Sequence, residues 1–102
     1  MKINLFYTTC SKSKPSKELA IKLLKEKKVI CVNIISNVKS YYKENESIKS
    51  TDETILIIKT FLTRLKLEKL VKKIHIYDIP FIAKIQIDEV NAEYLKWAKK
   101  NL

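Results

Sequence analysis

The stretch TILIIKTFL, residues 54–62, contains four consecutive apolar residues within a largely β-branched sequence. Such a run is typical of a strand that is covered on both faces. The preceding stretch VICVNII, residues 29–35, continues to the aromatic sequence KSYYK, and the polar sequence ENES separates the two runs. The sequence therefore predicts two long antiparallel strands that are joined in a hairpin.

Residues 2–8 alternate between apolar and polar side chains, which predicts a half-buried first strand. Its apolar side holds Ile3, Leu5 and Tyr7. Phe6 is the exception on the polar side. The alternation thus predicts that the side with Leu5 and Tyr7 faces the core.

Periodicity also locates the remaining elements. Helical spacing of apolar residues predicts one helix that opens near Pro15 and runs to residue 28, and another that ends at Ile74. Alternation over residues 82–88 predicts a fourth strand. Asn91 is a favourable N-cap for a last helix.

The order of elements is strand, helix, strand, strand, helix, strand, helix, without a repeat or a linker. Two right-handed strand–helix–strand crossovers joined by a hairpin predict an α+β fold, the ferredoxin-like βαββαβ sandwich. The hairpin is long, and an extra helix follows at the C-terminus. With 102 residues, the chain is expected to form a single domain over residues 1–102.

The net charge of +10 comes from 21 basic and 11 acidic residues. Arg64 is the only arginine, and the lysines occur in every predicted element. Specific recognition of bases and phosphates favours the planar guanidinium of arginine. We therefore interpret the charge as compositional and expect no specific nucleic-acid partner.

An RNA-binding module is an alternative function, because RNA-recognition domains share this order of elements. RNA-recognition domains carry a glycine–aromatic motif on their third strand. The chain has no glycine, and Phe61 is the only aromatic residue in residues 54–62. The sequence therefore disfavours this alternative.

No apolar run approaches the length of about eighteen residues that a membrane span needs, and the first residues lack the pattern of a secretory signal. We expect a cytoplasmic protein without a membrane partner. Cys10 and Cys31 form no C-x-x-C pair and have no histidine at zinc-finger spacing. Both are expected to be reduced residues on strands, with a structural role for Cys31.

The stretch HIYDIP, residues 75–80, holds the only histidine. His75 follows a helix, and four roles are open for it. Its imidazole either caps the last carbonyl groups of the helix or packs at an interface. Alternatively, it binds a metal ion together with Asp78, or it exchanges protons with Asp78 in a small enzyme. Tyr77 is expected to be a packed aromatic residue whose hydroxyl has a hydrogen-bond partner. Pro80 fixes the loop before the fourth strand. Lys59, at the end of an apolar strand, must reach water or an anion.

Five short motifs carry a resemblance to a known family, in matching order and spacing. They are TTC at residues 8–10, CVNI at 31–34, IIKT at 57–60, HIYDIP at 75–80 and NAEYLKW at 91–97. In these motifs the chain resembles the CutA family of divalent-cation tolerance proteins. The resemblance implies a cytoplasmic homotrimer of ferredoxin-like subunits that is linked to tolerance of copper and other heavy metals, without an established enzymatic reaction.

The chain departs from the family pattern at two places. Where the family usually has H-P-Y-E-x-P-E, Ile76 replaces a proline, Asp78 shortens the acid and Phe81 replaces the last acid. The hairpin usually carries Y-x-W-x-G-K, but here only Tyr42 matches. We expect a different hairpin tip, with Asn45 in the left-handed conformation.

The resemblance and the residues together predict a cleft between subunits. His75 and Asp78 are expected to bind a divalent metal ion weakly, copper(II) before zinc. The predicted ligand cleft also contains three further side chains, Lys59, Tyr77 and Tyr42. The predicted structural residues are Pro80, Cys31 and Trp97.

Overall fold

The computed structural model describes all 102 residues, and its seven elements follow the predicted order. They are β1 (Asn4–Ser11), α1 (Ser13–Leu24), β2 (Val29–Glu44), β3 (Ser47–Thr60), α2 (Arg64–Ile74), β4 (Ile82–Ile85) and α3 (Ala92–Lys100). The strands form one antiparallel sheet in the order β2-β3-β1-β4. Because β3 lies between β1 and β2, the two strand–helix–strand units interleave as in a ferredoxin-like sandwich. The predicted α+β fold is confirmed.

Helices α1 and α2 cover one face of the sheet. Helix α1 buries one stripe of side chains at helical spacing, and α2 buries Leu67 and Val71. These residues pack with Phe6, Leu56 and Ile58 of the two central strands in the main core. The opposite face of the sheet carries half-buried apolar residues.

The prediction of which side of β1 faces the main core was wrong. Phe6 is 0% exposed and lies in the main core, whereas Leu5 and Tyr7 are half-buried on the other face. Ile3, which precedes β1, is buried in a separate small cluster with Phe61 and Ala98. The polar neighbours of Phe6 tolerate burial because each has a hydrogen-bond partner. Asn4 Nδ2 donates to the carbonyl of Leu62 at 2.9 Å, and Thr8 Oγ1 donates to the carbonyl of Phe81 at 2.7 Å.

The β2–β3 hairpin extends past the rest of the sheet. Strand β1 ends where Ser11 pairs with Glu53, but β2 and β3 continue to pair as far as Glu44 and Ser47. We call residues 38–53 the hairpin arm. It gives the molecule a long axis of 48 Å.

Asn45 and Glu46 form the two-residue turn at the tip of this arm. Their φ angles are 49° and 67°, which confirms the left-handed conformation predicted for Asn45. A two-residue hairpin with the twist of the strands requires positive φ at both positions. Glu46 therefore adopts a conformation that glycine would adopt at lower cost.

Several elements differ locally from the sequence-based prediction. Helix α1 ends at Leu24 instead of residue 28, and strand β4 ends at Ile85 instead of residue 88. Asn91 occupies the N-cap position of α3, but its side chain makes no capping hydrogen bond. Thr63 does cap α2, since its side chain accepts a hydrogen bond from the Lys66 amide at 3.4 Å.

The fold also concentrates the positive charge, which in the sequence is spread over every element. Residues 13–28 and 64–74, here called the helical layer, hold eleven basic and three acidic residues. Their net charge is +8, so the other 75 residues contribute only +2. None of the three helices combines the length and the apolar character needed to cross a membrane.

Candidate functional site

The loop after α2 is fixed to the end of β1 by His75. The backbone amide of His75 makes the last helical hydrogen bond of α2, to the carbonyl of Val71 at 2.7 Å, and the extended backbone of His75 then ends the helix. Its Nε2 lies 2.8 Å from the carbonyl oxygen of Thr9, and its Nδ1 accepts a hydrogen bond from the amide of Tyr77 at 3.0 Å. A carbonyl only accepts, so Nε2 carries the proton and Nδ1 offers its lone pair. Both ring nitrogens of the neutral imidazole are therefore engaged.

This loop places the phenol of Tyr77 against Glu53 at the base of the hairpin arm. Tyr77 OH donates to Glu53 Oε2 at 2.7 Å, and the rings of His75 and Tyr77 lie 4.9 Å apart. Burial raises the pKa of Tyr77 most, and the hydrogen bond and charge of Glu53 raise it further. The phenol therefore remains a donor throughout the physiological pH range.

Glu53 is a site residue that the sequence analysis missed. It occurs in the polar run TDE before the apolar part of β3, where an acid is typical of a solvated strand end. The partner Tyr77 is 24 positions away, and only the interleaved fold brings the two together. No local pattern could have identified this pair.

Cys10 lies behind this group at the end of β1. It is 1% exposed, and burial raises the pKa of its thiol, against hydrogen bonds from Ser16 and Ser11 that lower it. The charge of Glu53 raises the pKa further. Cys10 and Cys31 are both free thiols. Cys10 is therefore a protonated residue of the main core.

Comparison with known proteins agrees with this architecture. Residues 4–101 match the family model for the CutA1 divalent ion tolerance protein. The chain belongs to the CutA1 family. Its relatives include the divalent-cation tolerance protein CutA of Thermococcus kodakarensis, which is 31% identical over 100% of this chain and 98% of its own length. The corresponding protein of Thermus thermophilus is 35% identical over 85% of this chain and 89% of its own length.

Solved CutA1 structures superimpose closely on this chain. The crystal structure of CutA1 from Oryza sativa has a TM-score of 0.89 at 32% identity, covering 97% of this chain and 92% of the rice chain. This CutA1 chain spans only 61% of the Xenopus laevis homolog and 53% of the chloroplastic protein of Arabidopsis thaliana. These longer relatives therefore contain additional sequence.

The chain brings some of the predicted site residues together and separates others. Tyr42 lies on the hairpin arm, four residues along β2 from Val38, which pairs with Glu53. Lys59 lies six residues along β3 from Glu53, about 20 Å at the usual rise of a strand. Its Nζ lies 5.3 Å from the centre of the Tyr94 ring. Lys59 is thus outside the His75–Tyr77 group of the same chain.

Asp78 is exposed and makes no hydrogen bond with His75. The acid–base pair that the enzyme alternative requires is therefore not formed in this chain. No three His, Cys, Asp or Glu side chains gather in a way that suits a metal ion. Near the loop, the side chains of a type that metal ions accept as ligands are the imidazole of His75, with both ring nitrogens engaged in hydrogen bonds, and the carboxylates of Glu53 and Asp78.

The residues predicted to be structural occupy different environments. Pro80 is buried before β4, and Cys31 is half-buried in β2. Trp97 is 51% exposed on α3, and its ring lies 5.4 Å from that of Tyr94. The aromatic pair on α3 therefore leaves apolar surface of Trp97 exposed.

A polar depression adjoins Glu53 at the base of the hairpin arm. Its volume is about 450 Å³, and no hydrophobic residue lines it. Lys39 and Asp52 form an ion pair of 2.6 Å at its edge. The hydrogen bond from Lys39, and then its charge, lower the pKa of Asp52. Lys12 also lines the depression, in a positive-φ conformation with φ 41°.

Raising the pH above about 10 is expected to destabilise this CutA1 chain through Tyr77. The folded-state pKa of Tyr77 is raised above its ordinary value of 10.0. The protonated phenol therefore makes its full contribution to the stability of the folded state when the pH is below about 10. The contribution is lost as the pH rises through the folded-state pKa. Urea unfolding at about pH 8 and about pH 11 should show a larger loss of stability for wild type than for Tyr77→Phe.

Tyr41→Phe is the matched control, because Tyr41 is 71% exposed on the hairpin arm. It should lose as much stability as wild type over the same pH interval. An equal loss in wild type and Tyr77→Phe would contradict the altered ionisation of Tyr77.

Proposed function

We propose that this CutA1 chain is a non-enzymatic, cytoplasmic homotrimer of the divalent-metal tolerance response. It binds a divalent metal ion or a small polar ligand in clefts between subunits. The observation that carries the proposal is the hydrogen-bonded group of His75, Tyr77 and Glu53 at the base of the hairpin arm. This group combines an imidazole and a phenol of the loop with the carboxylate of Glu53 on β3, and its hydrogen bonds hold the loop against the sheet.

Trimer formation is supported by surfaces that one subunit leaves uncovered. The outer edge of β2 has no partner strand, and in the hairpin arm β3 also lacks one on its outer side. Such edges promote association unless another chain pairs with them. The sheet face with Leu5, Tyr7 and Ile57 is only half-buried. Closed threefold pairing covers these surfaces without open-ended growth.

A cation site is supported by the distribution of charge. The hairpin arm and residues 75–81 hold five acidic residues and three lysines, a net charge of −2. The helical layer, in contrast, has a net charge of +8. A divalent cation is therefore attracted to the end of the molecule where Glu53 and Asp78 lie.

The proposed metal ligand His75 must give up a hydrogen bond to bind a metal ion. Its available lone pair, on Nδ1, accepts the amide hydrogen of Tyr77. Metal binding at Nδ1 leaves that amide without its partner, which opposes binding. Copper(II) has a higher intrinsic affinity than zinc for nitrogen and oxygen ligands. We therefore expect weak binding, with copper(II) ahead of zinc, and further ligands from a neighbouring subunit.

Copper(II) titration of wild type and His75→Ala tests this proposal. The variant should bind copper at least about tenfold more weakly at pH 7.5, because it loses the nitrogen ligand. Wild type should bind more weakly at pH 5.5 than at pH 7.5, because protons compete with the metal for imidazole. Asp78→Asn should have a smaller effect in the same direction.

Lys84→Ala is the control, because Lys84 is an exposed residue of β4 outside the loop. Light scattering must show the same oligomer for every variant. If His75→Ala keeps the wild-type assembly and binds copper equally well, His75 has only the structural role of anchoring the loop.

A further inference from the structure

The helical layer presents positive charge that nothing in the subunit neutralises. All ten of its lysines are exposed, and none of them forms an ion pair. The only ion pair of the layer joins Arg64 Nη1 to Glu68 Oε1 at 2.6 Å. Charges of one sign on one face repel each other and attract an anionic surface.

The same layer exposes aliphatic side chains between these lysines. Ile21 and Leu24 of α1 are 48% and 45% exposed, and Leu65 of α2 is 63% exposed. Lysines beside exposed aliphatic residues suit the boundary between headgroups and acyl chains, where apolar atoms leave water and ammonium groups meet phosphates. The layer therefore has two components, one electrostatic and one apolar.

These two components favour a lipid surface over nucleic acid as the partner. Nucleic-acid recognition makes heavy use of arginine, and the layer has one arginine, already paired with an acid. It also exposes no aromatic residue for stacking on bases. Exposed aliphatic side chains such as Leu65 contribute little binding energy against a charged phosphate backbone, because they are not removed from water there.

We propose that the helical layer docks on membrane surfaces that are rich in anionic lipid. Docking uses the outward side of α1 and α2, which leaves the sheet face and the hairpin arm available for assembly. The sequence-based expectation of no membrane partner rested on the lack of an apolar span, and surface docking needs none. The proposal is independent of metal binding at His75.

Vesicle sedimentation tests the proposal with the intact protein. Wild type should bind phosphatidylcholine vesicles that contain about one-third phosphatidylglycerol, and it should not bind vesicles of phosphatidylcholine alone. Binding should weaken as salt rises above about 0.15 M, because salt screens the attraction. Equal binding to both kinds of vesicle, or to neither, would overturn the proposal.

Two matched triple variants locate the surface. The first replaces three lysines of α2 with glutamine, Lys69, Lys72 and Lys73. It should bind anionic vesicles about a hundredfold more weakly, since each lysine near such a surface strengthens binding several-fold.

The control makes the same replacements on α3, which lies outside the helical layer, at Lys96, Lys99 and Lys100. Both sets remove three charges near the end of a helix, so the net charge and the helix-terminus effects are matched. The control should keep most of the wild-type affinity. If both triple variants lose the same affinity, the protein responds to net charge alone, and the helical layer is not the docking surface.

Leu65→Gln separates a lipid surface from a generic polyanion. It should weaken binding to anionic vesicles several-fold and leave binding to a random DNA duplex unchanged, because only the bilayer offers an apolar environment. If duplex DNA binds more tightly than the vesicles at the same phosphate concentration, or if Leu65→Gln affects neither ligand, the lipid assignment is wrong.

Discussion

Replacing Phe6 with alanine is expected to lower the free energy of unfolding by about 3–5 kcal/mol. Phe6 is fully buried on the central strand β1 and packs in the main core beneath α1 and α2. Truncation removes a large apolar side chain and leaves a cavity that the neighbouring strands close only in part. This is a large fraction of the stability of a small domain.

Urea unfolding followed by circular dichroism measures this loss. The protein concentration is kept fixed, because the proposed assembly would make stability depend on concentration. Ile21→Ala is the control, since Ile21 is an apolar residue that is 48% exposed. Its cost should be about 1 kcal/mol or less. A similarly small cost for Phe6→Ala would mean that the core does not lie on the Phe6 side of the sheet.

Shortening the hairpin arm is expected to convert the proposed trimer into a folded monomer. The variant replaces residues 40–51 with Asn-Gly, so that the paired residues Lys39 and Asp52 flank a two-residue turn. It removes the part of the hairpin in which β2 and β3 pair only with each other. The outer edges of these strands are free to pair with a neighbouring subunit. The main core is untouched, because its β3 members Leu56 and Ile58 lie outside the deletion.

Size exclusion with light scattering distinguishes the two states. Wild type should have about three times the subunit mass of 12.0 kDa, and the shortened variant should have the mass of one subunit. Glu46→Gly is the control, because it keeps the length of the arm and relieves a positive-φ residue. A wild type that is monomeric at micromolar concentration would refute the trimer, and a trimeric shortened variant would show that the arm is not required.

Sequence alone determined the order of the elements, the hairpin and its left-handed Asn45, and the resemblance to the CutA family. These features depend on local patterns, namely side-chain periodicity, turn residues and short motifs in register. Residues close in the chain carry such signals whatever the rest of the fold does.

Two features follow only from the packed fold: the side of β1 that faces the main core, and the side chains that meet at the candidate site. Asn4 and Thr8 are buried because their hydrogen-bond acceptors come from residues 58 and 73 positions away. His75 meets the carbonyl of Thr9 across 66 positions. The positive charge became one surface only when α1 and α2 packed side by side on the sheet. A local pattern cannot predict such partners, because burial of a polar group depends on an acceptor that the fold supplies from a distant segment.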